Sequence, residues 1–385
     1  METPLLHIEI EATNYCNTRC LHCPREALTR PLGKMDWDTY QTIMDKVMEY
    51  TPNFCVVFSG FGEPLLNPYI YDFVKYVSQK GRTSIITNAA ALTPTNVQRL
   101  SEAGLAQLTV SFNGTEKTLY ELMMGGLEFE RAQKHLESAV ALTNGTQTVI
   151  SANVSVTEQT KDHLLTIKND LERAGIEQIY FSKCHNRGGT LQGDNICTTP
   201  IPLLEGHHCQ IFTDIMFVTW TGQVLPCYHD MTGMNVIGDL RVEPIEAILC
   251  RKKEIAAASK VFSICHGCND LYQFAHTQTP DGRPLSDWVF DLYTDRETRI
   301  SEEVVALSKW LFAMYMQEGS SDRFFEALTR HIECQNQEIE ALNTKIQTLQ
   351  LKDKALMAVR ENRIGRSAAG VRKICSSLFS KKGSE

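Results

Sequence analysis

The sequence lacks the features of a membrane, secreted or nucleic-acid-binding protein. No apolar run reaches the roughly 18 residues of a membrane-spanning helix, and residues 1–4 begin neither a basic nor an apolar leader segment. Acidic residues (46) outnumber basic ones (38), and the formal net charge of −8 argues against nucleic acid as the partner of the chain as a whole. We therefore expect a cytoplasmic protein that binds no nucleic acid.

Cysteine, by contrast, is abundant, with 13 residues among 385. In a chain without a secretion signal, so many thiols indicate a reducing compartment and metal ligation rather than disulfides. The hydrophobic content of 43% and the charged content of 22% are those of an ordinary globular protein. The length allows two or three domains.

The first cysteine motif comes early in the chain. Cys16, Cys20 and Cys23 have the spacing C-x3-C-x2-C and directly follow a short apolar run over residues 5–10 that predicts a strand. Three thiolates on one tight loop can hold three irons of a cubane cluster and leave the fourth iron open to another ligand. A structural zinc site has four protein ligands, so three cysteines at this spacing fit zinc poorly. The alternative is a loop that is rich in cysteine by chance and binds no metal.

Downstream of this loop, short apolar strands alternate with amphipathic helices. This alternation is typical of βα units and predicts a parallel sheet. The predicted strands span residues 54–58, 83–88, 107–112, 149–156 and 178–181, and the helices between them span 36–50, 70–79, 94–102, 129–142 and 163–174. With the strand before Cys16, six units are visible.

The cysteine spacing after an N-terminal strand resembles the radical S-adenosylmethionine (radical SAM) superfamily. The resemblance implies a partial (βα)6 TIM-type barrel with its chemistry at the carboxyl ends of the strands. It also implies that the open iron of a [4Fe–4S] cluster chelates the amino and carboxylate groups of S-adenosylmethionine. Reductive cleavage would then give a 5′-deoxyadenosyl radical, with a flavodoxin or ferredoxin as the electron donor.

The same resemblance predicts which residues bind S-adenosylmethionine. The turn from Ser59 to Pro64 resembles a G-G-E-P segment in which Phe61 interrupts the glycine pair, and it makes Glu63 the candidate ligand of the amino group. Asn113 stands where many relatives have aspartate. The predicted cofactor-binding residues are Ser59, Gly60, Gly62, Glu63, Asn88, Ser111 and Asn113.

Two residues after the sixth strand are candidates for a catalytic role. Arg187 could contact the substrate or the carboxylate of S-adenosylmethionine, and a solvated loop arginine is the alternative. Cys184 is a weaker candidate, as a hydrogen donor at the barrel mouth, and an ordinary loop residue is the bland interpretation.

A second set of cysteines lies in the C-terminal half. Cys209 and Cys227 flank a predicted hairpin, with strands over 212–218 and 224–227, and Cys265 and Cys268 form a C-x2-C pair. Four thiolates suit one fully ligated [4Fe–4S] cluster, and from the spacing alone they suit zinc equally well. The pattern resembles the auxiliary-cluster module of many radical SAM proteins. Because no cysteine follows Cys268 until Cys334, it matches the shortened "twitch" form of the SPASM module, with a single auxiliary [4Fe–4S] cluster.

The predicted fold class is therefore α/β: a partial (βα)6 TIM-type barrel, a small β-hairpin and helix module for the auxiliary cluster, and a helical C-terminal tail. The predicted domains are the core at 1–195, the module at 196–280, a helical extension at 281–330 and a tail at 331–385. The tail has a coiled-coil-like apolar stripe and a basic amphipathic end, which could serve self-association or contact with an anionic membrane surface. A flexible solvated tail is the alternative.

The leading functional hypothesis is oxidation of a secondary alcohol on a carbohydrate or cyclitol-like small molecule. The auxiliary cluster would accept one electron, as in a twitch-bearing relative that oxidises an aminocyclitol. Peptide maturation is an alternative, although a first cluster cysteine at residue 16 leaves no room for an N-terminal peptide-binding segment. Epimerisation is a third option, since Cys184 could donate the hydrogen it needs. The non-enzyme alternative is an iron–sulfur relay or scaffold, which would not form 5′-deoxyadenosine.

Overall fold

The computed structural model describes residues 4–191, 209–258, 262–270 and 284–294. Of the predicted helical extension at 281–330 only residues 284–294 are described, and the whole tail at 331–385 lies outside the described residues. Within the described part of the chain, no helix is both long enough and apolar enough to cross a membrane.

The centre of the fold is a nine-stranded sheet in the order β11-β10-β9-β1-β3-β4-β5-β7-β8. Neighbours from β9 through β8 run parallel, and β10 and β11 add an antiparallel edge. The six predicted barrel strands are β1, β3, β4, β5, β7 and β8, which confirms the parallel barrel core. The strands are β1 Leu6–Ile10, β2 Arg19–Cys20, β3 Phe54–Phe58, β4 Arg82–Thr87, β5 Gln107–Ser111, β6 Met124–Gly125, β7 Val149–Val156, β8 Gln178–Lys183, β9 Ile215–Val218, β10 Gln223–Leu225 and β11 Gly238–Asp239.

Helices connect the parallel strands and cover one face of the sheet. They are α1 Trp37–Tyr50, α2 Ile70–Val77, α3 Pro94–Glu102, α4 Lys117–Met123, α5 Phe129–Thr143, α6 Leu164–Arg173, α7 Gln210–Asp214, α8 Ile245–Ala257 and α9 Leu285–Thr294. Helix α1 begins after Asp36, whose carboxylate accepts a hydrogen bond from the Thr39 amide at 2.7 Å, as expected of an N-cap aspartate. Sequence reasoning missed α4 and the short β2–β6 pair.

The hydrophobic core lies between the helices and the outward face of the sheet. Ile8 and Ile10 on β1 and Val56 and Phe58 on β3 are fully buried there. An aromatic stack joins α1 to α2, where the rings of Tyr40 and Phe73 lie 3.9 Å apart and the Tyr40 hydroxyl donates to the Phe73 carbonyl. Burying this apolar surface is the main favourable term for packing the helices on the sheet.

The opposite face of the sheet carries many polar side chains. On β5, β7 and β8 these side chains are buried or half-buried and hydrogen-bond to one another across the strands. The hydroxyls of Thr109 and Ser151 lie 3.0 Å apart, and Ser182 donates to the side chain of Asn153 at 2.8 Å. Because side chains alternate between faces, the lumen side of β5, β7 and β8 carries hydroxyl and amide groups, while Val57 on β3 and Ile86 on β4 add aliphatic ones.

The second cysteine module continues the barrel sheet. We predicted a strand over 212–218, but residues 210–214 form the short helix α7, and β9 begins only at Ile215. The helical turn closes where the Thr213 amide donates to the Cys209 carbonyl, and the Phe212 ring packs on Phe262 with centroids 5.7 Å apart. Strand β9 then pairs in parallel with β1, so the predicted hairpin lies against the first barrel strand.

A buried ion pair fixes the segment that follows β1. Glu11 comes directly after the strand, is completely buried, and accepts two hydrogen bonds from the Arg30 guanidinium at 2.7 and 2.8 Å. This bidentate pair ties the start of the cysteine loop to the segment beyond it. Breaking such a pair leaves an uncompensated charge in the interior.

We predict that Arg30→Met lowers the free energy of unfolding by about 3–5 kcal/mol, because Glu11 would remain buried without its partner. Urea unfolding followed by circular dichroism measures the difference. The matched control is Arg173→Met, which removes a surface pair with Asp170 in which the arginine side chain is 77% exposed. That control should change stability by less than about 1 kcal/mol. Equal losses in both variants would contradict the importance of the buried pair.

Candidate active site between two cysteine sets

The first cysteine set lies on the loop that leaves β1 at the carboxyl edge of the sheet. Cys16 is 3.1 Å from the Thr18 hydroxyl, and the amide of Cys23 donates to the carbonyl of Cys20. Burial raises the pKa of the Cys20 thiol to about 12, and the nearby Cys23 and Cys16 raise it further. Burial also raises the pKa of the Cys23 thiol. The structure therefore brings together all three predicted ligands, and a bound metal centre would favour the thiolate form of the buried Cys20 and Cys23.

The turn after β3 supports this loop by close backbone contact. Gly60 has a φ of +104°, a conformation that favours glycine. A Cβ atom on Gly62 would lie 2.0 Å from the Thr13 carbonyl oxygen, so no larger residue fits there without moving the cysteine loop. The Glu63 amide donates to the Tyr15 carbonyl at 2.8 Å. These contacts explain the glycine spacing in this turn.

The Glu63 carboxylate is 2% exposed and lies among polar groups of its own chain. It accepts hydrogen bonds from the Thr87 hydroxyl and the Asn88 amide, both at 2.8 Å, and from the Leu65 amide at 3.1 Å. Burial raises its pKa to about 7, against the effect of these hydrogen bonds. A carboxylate offers about four acceptor positions, so one is left for an ammonium group. Its role as the amino-group ligand stays a prediction.

The other predicted cofactor residues lie at the ends of neighbouring strands. Asn88, after β4, donates to the Asn17 side chain at 2.8 Å and thereby holds the cysteine loop. Ser111 ends β5. Asn113 is fully buried, accepts from the Ser155 amide at 2.6 Å, and has its Nδ2 3.1 Å from the Met124 sulfur. Asn113 therefore joins β5 to β7, and its contact with a cofactor stays a prediction.

The second cysteine set also converges. Cys209 precedes α7, Cys227 follows β10, and Cys265 and Cys268 lie in the turn at 263–268. Burial raises the pKa of each thiol, and every pair among the four lies close enough for one thiolate to raise the pKa of the other. Four convergent thiols form a complete ligand set for one metal centre.

From the thiols alone, this set suits a fully ligated iron–sulfur cluster and zinc equally well. A separate group of metal-ligand type lies nearby: the ligand atoms of His185, His229 and Asp270 are all within 4.8 Å of one another.

The loop after β8 is hydrogen-bonded to the segment that carries Cys265 and Cys268. The Asn186 side chain donates to the Gly267 carbonyl at 2.5 Å, and the Asn186 amide donates to the Asn269 side chain at 2.7 Å. Arg187 and the two glycines after it all have positive φ values, which for Arg187 (+51°) is an uncommon conformation found most often at functional sites. This loop brings Arg187 between the two cysteine sets.

Arg187 lies among buried polar atoms that no other described side chain or backbone group satisfies. Its charge acts on Glu9, His22, His185 and His229. These residues come from the first strand, the first cysteine loop, the loop after β8 and the second cysteine module. In each of these four residues one side-chain atom is buried without a hydrogen-bond partner in the described structure: Oε2 of Glu9 and Nδ1 of the three histidines. Such atoms are rare in folded proteins and call for a ligand or water. We call this region the Arg187 gap.

A hydrogen-bonded cluster forms the side of the Arg187 gap next to the second cysteine set. The Oδ2 atom of Asp270 lies 2.9 Å from His229 Nε2, 3.5 Å from His185 Nε2 and 3.0 Å from the Tyr228 hydroxyl, which donates to it. Burial lowers the pKa of both histidines, so their rings are neutral near pH 7. Neutral rings can both donate and accept hydrogen bonds with a polar ligand.

Glu9 and Cys184 also face the gap. Burial raises the pKa of Glu9 to about 7, while Ser59 and Arg187 beside it act in the opposite direction. Burial raises the pKa of the Cys184 thiol to about 11, and Cys23 and Asp270 are near enough to act on it. The structure thus places both predicted catalytic residues, Arg187 and Cys184, in one region. Sequence reasoning missed Glu9, although a carboxylate inside an otherwise apolar strand was a signal.

The fold and the two thiol sets define an iron–sulfur protein built on an open parallel barrel. Comparison with known proteins agrees with this class. The model of the radical SAM superfamily matches residues 10–171, and the model of an iron–sulfur cluster-binding domain, SPASM, matches residues 209–269.

Individual proteins of known name or structure are also similar to this chain. S-adenosyl-L-methionine-dependent 2-deoxy-scyllo-inosamine dehydrogenase from Niallia circulans is 27% identical over 275 residues, which cover 69% of this chain and 92% of the relative. The tungsten-containing aldehyde ferredoxin oxidoreductase cofactor-modifying protein from Pyrococcus furiosus is 23% identical and covers 58% of this chain and 71% of its own. The solved structure of native anSMEcpe with bound AdoMet has a TM-score of 0.54 at 14% identity, covering 80% of this chain and 99% of that one.

The chain belongs to the radical SAM superfamily and carries a SPASM-type auxiliary module. It is a radical SAM enzyme whose cofactors are S-adenosylmethionine, a [4Fe–4S] cluster and an auxiliary iron–sulfur cluster. This confirms the family, the fold class of barrel and module, and the cofactors predicted from the sequence. The individual ligand residues and the domain boundaries stay predictions.

We predict that Asn88→Ala destabilises the first cluster and leaves the second intact, because Asn88 holds Asn17 in the cysteine loop. Iron and sulfide content during anaerobic exposure to a chelator should show faster loss of about four irons per chain, the content of one cubane.

The control for this experiment is Asn96→Ala, since the Asn96 side chain makes a similar bond, to the Ala91 carbonyl at 2.9 Å, away from the cysteines. The control should lose iron at the wild-type rate. Equal rates in all three proteins would show that Asn88 does not support the cluster loop.

Proposed function

We propose that this enzyme oxidises a secondary alcohol of a cyclitol or sugar-like small molecule bound in the Arg187 gap. The observation that carries the proposal is the set of unsatisfied buried atoms on Glu9, His22, His185 and His229 around the Arg187 guanidinium. A ligand with several hydroxyl groups can both donate to and accept from such a set. A largely apolar ligand would leave these atoms without partners, which is costly.

Similarity to a dehydrogenase supports the same substrate class. The Niallia circulans relative acts on 2-deoxy-scyllo-inosamine, an aminocyclitol, and the shared region includes most of its length. The hydroxyl and amide groups along the lumen, such as those of Ser151, Asn153 and Ser182, agree with a polar small molecule.

Oxidation of a carbinol to a ketone removes one hydrogen atom from carbon, one proton from oxygen and one electron. When bound, S-adenosylmethionine with its cluster supplies the radical that takes the hydrogen atom, and the auxiliary cluster supplies a one-electron acceptor. The chain must orient the carbinol and accept the hydroxyl proton. Arg187 is placed to hold the substrate oxygens, since its guanidinium offers five donors and no acceptor.

Glu9 is the side chain best placed to accept that proton. Its carboxyl has one buried unsatisfied oxygen beside Arg187. With its pKa raised to about 7, the ionised form is a stronger base than an ordinary carboxylate and is present above that pH. Arg187 keeps the ionised form accessible by its opposite charge.

Epimerisation is the second candidate, and the position of Cys184 favours it. Its thiol is buried near Cys23 and is neutral at pH 7, because burial raises its pKa to about 11. A neutral thiol can return a hydrogen atom to a carbon radical, whereas a thiolate cannot. A flavodoxin or ferredoxin as electron donor is part of the proposal in either case.

We expect that 2-deoxy-scyllo-inosamine or a related cyclitol or sugar, deuterated at the reacting carbinol carbon, transfers deuterium into 5′-deoxyadenosine. Anaerobic incubation with dithionite and mass spectrometry measure the transfer and the ketone. Ketone formed in equal amount to 5′-deoxyadenosine supports oxidation. A product in which solvent hydrogen replaces the abstracted atom would support epimerisation. No deuterium transfer from any alcohol of this class would contradict both.

Glu9→Gln should lower ketone formation about 10²–10⁴-fold while deuterium transfer to 5′-deoxyadenosine continues, because the variant lacks only the proton acceptor. In the wild type the rate of ketone formation should rise with pH through about 7 as the Glu9 carboxyl ionises. In the variant this rise of the rate with pH should be absent. Glu177→Gln, at an exposed carboxylate, serves as control. An unchanged pH profile in Glu9→Gln would rule out this role.

A further inference from the structure

A lysine is buried beside the second cysteine set. Lys252 lies on α8 and is 5% exposed. Its ammonium nitrogen donates to the carbonyl oxygen of Ile215 at 2.5 Å and lies 5.3 Å from the centre of the Phe212 ring. Neither the carbonyl nor the ring neutralises the charge, and a buried ammonium without an anion is costly.

The groups around Lys252 come from the segment that carries the cluster ligands. Ile215 packs with Cys227 and Cys209 in one small buried cluster, and Phe212 follows Cys209 within one helical turn. The anionic groups that act on the ammonium are the exposed Asp214 and the thiols of Cys227 and Cys209, in that order. The interior anion available to this lysine is therefore the second cysteine set itself.

The charge persists at neutral pH. Burial lowers the pKa of Lys252 to about 8, and Asp214 and the two cysteines act in the opposite direction. In the cluster-free chain the ammonium thus still predominates at pH 7. A bound cluster with four thiolates carries net negative charge and would favour the protonated form further.

We propose that Lys252 sets the reduction potential of the auxiliary cluster through its buried positive charge. Reduction adds one negative charge to a centre that is already anionic. A cation nearby in a region of low dielectric stabilises the reduced state more than the oxidised state, which raises the potential. Lys252 is a positioning residue in this sense: it touches no substrate and acts through the metal centre. This inference concerns electron acceptance and does not depend on which alcohol the enzyme oxidises.

The test is an anaerobic redox titration of the reconstituted holoenzyme, followed by electron paramagnetic resonance. The signal of the auxiliary cluster is the one that a Cys265→Ala/Cys268→Ala variant lacks. Lys252→Met keeps the length and the apolar stem but removes the charge, and Lys252→Arg keeps the charge. Lys253→Met removes an exposed lysine from the next position of the same helix.

In Lys252→Met we expect the auxiliary cluster to become at least tenfold harder to reduce at a fixed potential, a shift of about 59 mV to more negative values for one electron. Lys252→Arg and Lys253→Met should stay near the wild-type potential, and the first cluster should not shift in any variant. If Lys252→Met fails to bind the auxiliary cluster while Lys252→Arg binds it, the cluster needs the charge for its assembly, which also supports the proposal.

Three results would overturn the proposal. The first is an unchanged auxiliary potential in Lys252→Met. The second is an equal negative shift in Lys252→Met and Lys252→Arg, which would assign the effect to packing. The third is loss of the auxiliary cluster from both variants, which would likewise assign the effect to packing rather than to charge. None of these results would bear on alcohol oxidation, which deuterium transfer tests separately.

Discussion

The parallel pairing of β9 with β1 is the contact on which the proposed site depends. Strand β1 leads directly into the first cysteine loop, and β9 lies between Cys209 and Cys227 of the second set. The first cysteine loop leaves β1 at its carboxyl end, whereas Cys209 precedes β9 and Cys227 follows the antiparallel β10, so these two cysteines lie toward the amino end of β1 and β9. This pairing therefore fixes the second thiol set relative to the first. The hydrogen bonds from Asn186 to Gly267 and Asn269 then tie the loop after β8 to the segment that carries Cys265 and Cys268.

The electrostatics of the Arg187 gap follow from the thiol sets around it. Two sets of thiols require cations or metal centres, and the chain supplies Arg187 in the gap and Lys252 behind the second set. The same burial that makes the thiols unfavourable as free anions also raises the pKa of Glu9 toward neutrality. In the proposed mechanism the base is therefore Glu9 rather than a histidine, and His185 and His229 remain neutral in their contact with Asp270.

The sequence was sufficient for the repeating part of the fold and for the grouping of seven cysteines into two sets. The strands at 54–58 and 149–156 and the helix at 94–102 have the predicted bounds, because alternating burial and helix caps are local signals. The strand expected over 212–218 was wrong in its first half, since the packing of Phe212 on Phe262 stabilises a helical turn there. That contact joins residues far apart in sequence.

The same limit applies to the site. The cysteine spacing is visible in the sequence. The convergence of Glu9, His229 and Asp270 on Arg187 depends instead on the β1–β9 pairing and on the hydrogen bond from Asn186 in the loop after β8 to Gly267. The cofactor prediction for Asn113 rested on its position after a strand. Both ends of its amide are engaged within the chain, which only the folded structure reveals.

Iron, zinc and acid-labile sulfide content after anaerobic reconstitution tests the two-centre arrangement most directly. The wild type should hold about eight irons and no stoichiometric zinc, and Cys265→Ala/Cys268→Ala and Cys16→Ala/Cys20→Ala/Cys23→Ala should each hold about four. These values would place one cubane on each side of the Arg187 gap. About four irons in both the wild type and the Cys265→Ala/Cys268→Ala variant, or zinc that disappears with those cysteines, would contradict an electron acceptor beside the gap.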